Sequence, residues 1–285
     1  MNKLMKRVIS RPIHIHSELI GSQYAHAHAH SHSHTMASPT IVQFGSDLHT
    51  EHNKSLSIRP VADTLLLGGD IGNPFDPNYK TILQSASDSF KSTYIVAGNH
   101  EYHYLDKWRD MSEVDNKIQS ICEGLGNVHF LQNSTQKLAD GLHIFGSTLW
   151  TYLPPHYKPG FDNAKIWKDG KRVTNDELNE LNQIGIKSIK DELDKCKKSG
   201  EKLLVLTHHP PSFQMQADKY KNYPNSMRFY NNLDDLFQYP LAGWICGHTH
   251  TRSIKQINGI PCAINAHGYQ HENKCKTLLS HTISV

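Results

Sequence analysis

Thr64-Leu65-Leu66-Leu67-Gly68-Gly69-Asp70 is a short apolar run that stops at two glycines and an acid. The same grammar recurs along the chain. Ile41-Val42-Gln43-Phe44 ends at Gly45-Ser46-Asp47-Leu48-His49, and Tyr94-Ile95-Val96-Ala97 ends at Gly98-Asn99-His100-Glu101. Leu203-Leu204-Val205-Leu206 ends at Thr207-His208-His209-Pro210, and Trp244-Ile245-Cys246 ends at Gly247-His248-Thr249-His250. Runs this short, apolar at nearly every position, read as strands buried on both faces of a sheet, as in α/β folds.

Helical patterns fill the gaps. Pro77 to Lys91 carries Ile82, Leu83, Ala86 and Phe90 at helical spacing, and Asp106 to Gly124 carries Val114, Ile118, Ile121 and Cys122. Thr174-Asn175-Asp176-Glu177 is a capping-box sequence opening a helix that runs to about Ser199, with Leu178, Leu181, Ile186, Ile189 and Leu193 on one face. Lys197 and Lys198 suit its C-terminal dipole and Gly200 its left-handed cap. Further strands are expected at 127–131, 142–149, 252–257, 260–265 and 276–284. No repeat or linker interrupts residues 40–285, which read as one α/β domain.

Of the 285 residues, 37% are hydrophobic and 20% charged, as in a globular chain. No run approaches the roughly 18 apolar residues of a membrane span. The 5 cysteines are odd in number and form no C-x-x-C pair, which disfavours a disulfide framework and points to a reducing, cytoplasmic setting. The net charge of +3 belongs to residues 1–39, where Lys3, Lys6, Arg7 and Arg11 face only Glu18. The rest is balanced and lacks a nucleic-acid footprint. The alternating tract Ala25-His26-Ala27-His28-Ala29-His30-Ser31-His32-Ser33-His34 belongs to the same segment. It reads as an affinity tag followed by a junction at Thr35-Met36-Ala37-Ser38, the alternative being a natural leader. In either reading it lacks the apolar side chains to offset its ordering entropy and stands outside the fold.

Each Gly-bounded strand thus ends in groups that can ligate a divalent ion. Ligands in open α/β sheets collect beyond the carboxyl ends of strands. Five strands delivering Asp, Asn and His to one edge is what a two-metal site requires. In D-x-H and H-x-H, residues two apart on an extended segment point the same way, so one segment reaches one cluster. Taken singly, a Gly-Asp is more often a turn than a ligand; five in order at strand ends make one site.

The set D-x-H, G-D, G-N-H-[DE], H-x-P and G-H-x-H over residues 47–250 resembles the calcineurin-like metallophosphoesterase superfamily. Gly98-Asn99-His100-Glu101-Tyr102, Phe130-Leu131-Gln132-Asn133, Gly146-Ser147-Thr148-Leu149-Trp150-Thr151 and Asn265-Ala266-His267-Gly268-Tyr269 are closer to a little-characterised bacterial and viral branch. The resemblance implies a four-layer sandwich: two mixed β-sheets flanked by α-helices. It implies that Asp47, His49 and His250 bind a first divalent metal, that Asn99, His208 and His248 bind a second, and that Asp70 bridges both. His208 is taken over His209 because the family ligand stands two before the proline, here Pro210. His100 would contact phosphate and act as general acid while a metal-bridging hydroxide attacks phosphorus. Mixed His, Asp and Asn ligation suits Mn, Fe, Zn, Co or Ni, with manganese the first candidate.

The chain departs from the phosphoprotein phosphatases of that superfamily. Where they have a second Asp and an Arg, this sequence has Asn73 and Pro74. Asn73 can accept a hydrogen bond from the catalytic imidazole but cannot stabilise its charge. Glu101, His52 and His103 read as supporting or exposed groups. Two aromatic-rich insertions, residues 150–173 and 212–232, either stack a planar substrate group or pack over the sheet edges; the second includes Tyr223. Arg228 in the second insertion is a candidate phosphate contact, and Tyr269 and Asn99 are candidates for substrate contact. The expected activity is hydrolysis of a small phosphomonoester or phosphodiester. A nuclease, a phosphoprotein phosphatase or a catalytically weak scaffold on the same fold stands as the alternative, the neutral body weighing against a nucleic-acid polymer.

Overall fold

The computed structural model describes residues 39–103, 107–221, 225–273, 275–278 and 280–285. The leader at 1–38, Asp106 and Tyr223 lie outside them. In chain order the elements are β1 (Ile41–Gly45), β2 (Ser57–Ile58), β3 (Thr64–Gly68), α1 (Pro77–Ser89), β4 (Ser92–Val96), α2 (Met111–Glu123), β5 (Val128–Phe130), β6 (Ser134–Ala139) and β7 (Leu142–Ser147). Then follow α3 (Phe161–Lys165), β8 (Trp167–Lys168), β9 (Lys171–Arg172), α4 (Asn175–Ser199), β10 (Lys202–Thr207), β11 (Leu241–Cys246), β12 (Arg252–Ile257), β13 (Ile260–Asn265), β14 (Thr277–Leu278) and β15 (His281–Ser284).

The strands build two mixed sheets, β15-β1-β3-β4-β5 and β12-β13-β11-β10-β7-β6. Pairs within β1-β3-β4-β5 and within β13-β11-β10-β7 are parallel, and β15, β12 and β6 close edges antiparallel. Three apolar cores separate the layers. Leu65 and Leu67 of β3 face α1 and α2, burying Tyr79, Leu83, Val114 and Ile118. Leu66 points the other way, joining Phe44 and Val96 against Ile144, Leu204, Leu206 and Ile245 of the second sheet. Val205 and Trp244 turn outward to meet Ile189 and Leu193 of α4. A strand with a core on each side needs apolar residues at every position, which is why these runs do not alternate. The result is a four-layer α/β sandwich.

The capping box is formed: Glu177 N–H donates to Thr174 Oγ1 at 3.2 Å, and Thr174 N–H donates to Glu177 Oε2 at 2.8 Å. Gly200 takes φ 77°. β6 lacks a strand pattern because its edge position leaves Gln136 and Lys137 exposed. The expected strand at 276–284 divides: β14 pairs with β2 and β15 with β1. No helix among the described residues is long and apolar enough to cross a membrane.

Candidate metal centre

The five parallel strands β1, β3, β4, β10 and β11 bring their carboxyl ends to one edge. Asp47 N–H donates to the Gly69 carbonyl at 2.9 Å and His49 N–H to the Asp70 carbonyl at 3.0 Å, which ties the β1 turn to the β3 turn. Gly247 N–H donates to the His208 carbonyl at 2.8 Å, which ties β11 to β10. Gly98 permits the central approach: a β-carbon there would stand 2.7 Å from both Asp70 N and His208 Cε1.

Three donor groups result, each with its ligand atoms within 4.8 Å of one another: Asp47, His49, Asp70 and His250; Asp70, His208 and His248; and His49, Glu51 and His100. Asp70 belongs to both of the first two. Its Oδ2 lies 3.8 Å from His49 Nε2 and 3.5 Å from His208 Nε2. Asn99 Oδ1 stands 3.0 Å from His208 Nε2, and His248 Nδ1 stands 3.2 Å from it. All seven residues expected from the sequence are therefore gathered at one edge. His209 turns away; its Nδ1 meets the Thr148 carbonyl at 3.2 Å.

Five of the seven, Asp47, His49, Asp70, His248 and His250, have positive φ, between 46° and 71°. The extended-segment account of D-x-H and H-x-H is thus incorrect. Left-handed turns, not strand alternation, aim these side chains. Such conformations cost a non-glycine residue on the order of 1–2 kcal/mol each and persist only where surroundings over-determine them.

The donor chemistry fits divalent cations. His49 Nδ1 meets Glu51 Oε1 at 3.2 Å and His250 Nδ1 meets Glu272 Oε2 at 2.5 Å. With each Nδ1 taken up by a carboxylate, the two Nε2 atoms are left facing each other at 3.0 Å, where they could ligate a cation. His208 Nδ1 likewise donates to the Gly68 carbonyl at 2.8 Å and leaves Nε2 free to ligate. The Asn99 amide donates to Asp162 Oδ1 at 3.0 Å, which leaves its oxygen facing His208. Burial pushes the pKa of Asp47 and Asp70 up, and for Asp70 the charges of Glu101 and Asp47 add to it. Burial and neighbouring imidazoles push His208 and His248 down. Neutral imidazoles and carboxylates short of positive charge suit a bound dication.

His100 N–H donates to Asp70 Oδ1 at 2.8 Å, so its backbone is fixed by the shared carboxylate. Its ring packs 4.4 Å from the His103 ring, and its Nε2 lies 3.3 Å from Tyr269 Oη. Burial and the surrounding imidazoles hold its pKa well below the ordinary value. Asn73 does not orient it: the Asn73 oxygen instead accepts from Phe75 N–H at 3.0 Å. Glu101 accepts from the N–H groups of Asp70, Ile71 and Gly98 at 2.7–3.0 Å and shapes both turns.

Tyr269 stands at the centre, its ring 4.4 Å from that of His49. Arg228 is placed otherwise: its guanidinium donates to the Lys158 carbonyl and lies over the Tyr157 ring, which commits it to the 157–160 loop. His103 is buried, with Nε2 2.9 Å from Asp162 Oδ1, while the His52 side chain is 55% exposed. Asp162, Glu51 and Glu272 are residues sequence reasoning missed, because none is part of the motifs that name the ligands; Asp162 sits in the aromatic insertion.

Comparison with known proteins agrees with this geometry. Residues 41–252 match the calcineurin-like phosphoesterase family, and the chain belongs to that family. The uncharacterised protein L509 of Acanthamoeba polyphaga mimivirus is 30% identical over 259 residues, spanning 81% of this chain and 92% of the relative. The crystal structure of phosphopantetheinyl hydrolase from Mycobacterium tuberculosis superposes with a TM-score of 0.67 at 15% identity, covering 87% of this chain and 96% of that one. TT1561 of Thermus thermophilus superposes with a TM-score of 0.51 at 10% identity, over 80% and 90% of the two chains. These two likenesses are of fold. The family and the His/Asp clusters mark a metal-dependent hydrolase.

Proposed function

We propose that the protein hydrolyses a phosphomonoester or phosphodiester of a small molecule, with two divalent ions held across Asp70. The observation that carries this reading is the membership of Asp70 in two donor groups. Asp47, His49 and His250 would hold one ion and Asn99, His208 and His248 the other, with Mn, Fe, Zn, Co or Ni all suited to the donors. When bound, such a pair supplies Lewis acidity and an activated water.

The protein's own contribution follows from its side chains. The hydrogen bonds at the outer nitrogens of His49, His208 and His250 fix which nitrogen faces the ions. Ser46 Oγ at 2.5 Å and the His248 N–H at 3.0 Å orient the Asp47 carboxylate. His100 would donate a proton to the leaving oxygen as its bond to phosphorus breaks; water provides the new P–O bond and the alcohol departs. Burial and the neighbouring imidazoles lower the His100 pKa, and the negative charge of a bound phosphoester would raise it for this role. The setting we propose is reducing and cytoplasmic, from the odd number of cysteines and the lack of a C-x-x-C pair.

His100→Asn tests the reading. The variant is expected to keep its metals and lose about 10²–10⁴ in kcat on an alkyl phosphate, and less on p-nitrophenyl phosphate, whose leaving group needs little protonation. Equal losses on both esters, or release of metal, would overturn the general-acid role. Absence of turnover on phosphomonoesters and phosphodiesters alike by the metal-loaded wild type would overturn the activity itself.

A further inference from the structure

A cavity of about 240 Å³ is bordered by His100 and Tyr269, whose rings pack 4.8 Å and 4.4 Å from that of His49. Phe161, Tyr269, His103, His52 and His100 present rings to it, and Lys165 is its cation. The Glu51 carboxylate also borders it but is turned toward His49, with its side chain only 7% exposed. The cavity's volume leaves room for an aromatic ring with a substituent.

Phe161 is 64% exposed, the most exposed of the large hydrophobic side chains among the described residues. This is not the exposure of a loose chain end. Phe161 opens α3, and α3 is pinned to the metal centre by its second residue. Asp162 Oδ1 accepts from Asn99 at 3.0 Å and from His103 at 2.9 Å. Asn163 fastens the same turn, accepting from Gly160 N–H at 2.6 Å and donating to the Val173 carbonyl at 3.1 Å. The helix therefore holds an aromatic ring beside the cavity, edge-to-face with His103 at 5.2 Å. Lys165, one turn on, places its Nζ 5.5 Å from the Phe161 ring centre.

We infer that this cavity is a leaving-group site, and that it selects phosphoesters whose leaving group is a planar aromatic or heteroaromatic ring bearing a second anionic group. The inference rests on the reading of the site as a phosphoesterase: phosphorus at the Asp70 cluster places the leaving oxygen at His100 and whatever that oxygen carries in the cavity. Phe161 supplies a face for the ring. Lys165 supplies a point charge for a carboxylate or second phosphate on it. One helix thus reads shape and charge together while its Asp162 supports a candidate ligand.

Binding of non-hydrolysable phosphonates to the metal-loaded full chain, measured by calorimetry, tests this. Benzylphosphonate should bind about tenfold or more tightly than cyclohexylmethylphosphonate, the range expected of a stacked ring. A para-carboxyl group on the benzyl ring should tighten binding by a further several-fold. Phe161→Ala should collapse the first ratio toward one, and Lys165→Met the second. Equal affinity for the benzyl and cyclohexylmethyl compounds, no binding of any of them, or ratios that survive both substitutions would each overturn the inference. If the affinity order holds but the matching phosphate esters are not hydrolysed, the site stands and the proposed activity fails.

Discussion

Asp162 shows how one side chain can serve two others. Its Oδ1 accepts from the Asn99 amide and from His103 Nε2, so the Asn99 oxygen is turned to the metal side and the His103 ring is set under His100. Burial alone would raise its pKa, but the bonds from His103 and Asn99 hold it below the usual carboxylate value. Removing such an outer partner typically lowers metal affinity 10–100-fold. Asp162→Ala is therefore expected to need about that much more free metal to fill the Asn99 side, and Asp162→Asn, which keeps an acceptor oxygen, less. Metal content after dialysis against graded metal buffers reads this directly. An alanine curve that overlays the wild type would exclude the role.

α2 carries a test of burial that is independent of the metals. Asp115 on its inner side accepts from Tyr102 Oη at 2.7 Å, and Gln132 donates to the same hydroxyl at 2.7 Å. Burial pushes the Asp115 pKa from 3.8 to about 6, against those hydrogen bonds. An acid whose folded pKa is raised binds its proton more tightly when folded, so stability falls as pH rises from about 4 through 6. The penalty at neutral pH is at most about 3 kcal/mol by the usual conversion of about 1.4 kcal/mol per pKa unit. Asp115→Asn keeps the acceptor oxygen and removes the charge. It should raise Tm by a few degrees at pH 7.5, an advantage that shrinks toward pH 4. A Tm difference that is the same at both pH values would contradict this account.

At the scale of the whole molecule, two sheets and three cores converge on a strained edge. Residues such as Leu66, Leu206 and Ile245 are wholly buried between the sheets. Truncating one to alanine in such a setting costs about 2–5 kcal/mol, which is the stiffness available to hold the edge. That packing and the hydrogen bonds between the turns together keep five non-glycine residues left-handed. Chelation should accordingly lower Tm, because an ion that binds only the folded state stabilises it by mass action. It should also speed hydrogen exchange at the amides of Asp47, His49 and His248 more than in the core between the sheets. Restoring metal should reverse both. Unchanged melting and unchanged exchange on metal removal would argue against ions being held there.

The buried strands β1, β3, β4, β10 and β11, the long helix and the candidate donors were legible in the residues alone. A strand between two cores must be apolar throughout, a capping box has few other uses, and few residue types ligate metal. The sequence did not determine how the donors are aimed. D-x-H and H-x-H were legible as pairs, but their left-handed turns arise from the hydrogen bonds that join β1 to β3 and β10 to β11, which only the sheet order creates. Nor could it find Asp162 or separate the aromatic residues of the insertions. Trp167 stacks on Trp108 at 4.6 Å and Trp150 is buried, while Phe161 faces a cavity, and nothing in their local sequence tells them apart. Asp162 and Asn99 stand 63 positions apart in the chain and 3.0 Å apart in space. Motif spacing records only chemistry carried by one turn; contacts between turns are decided by packing, so only the tertiary structure could supply them.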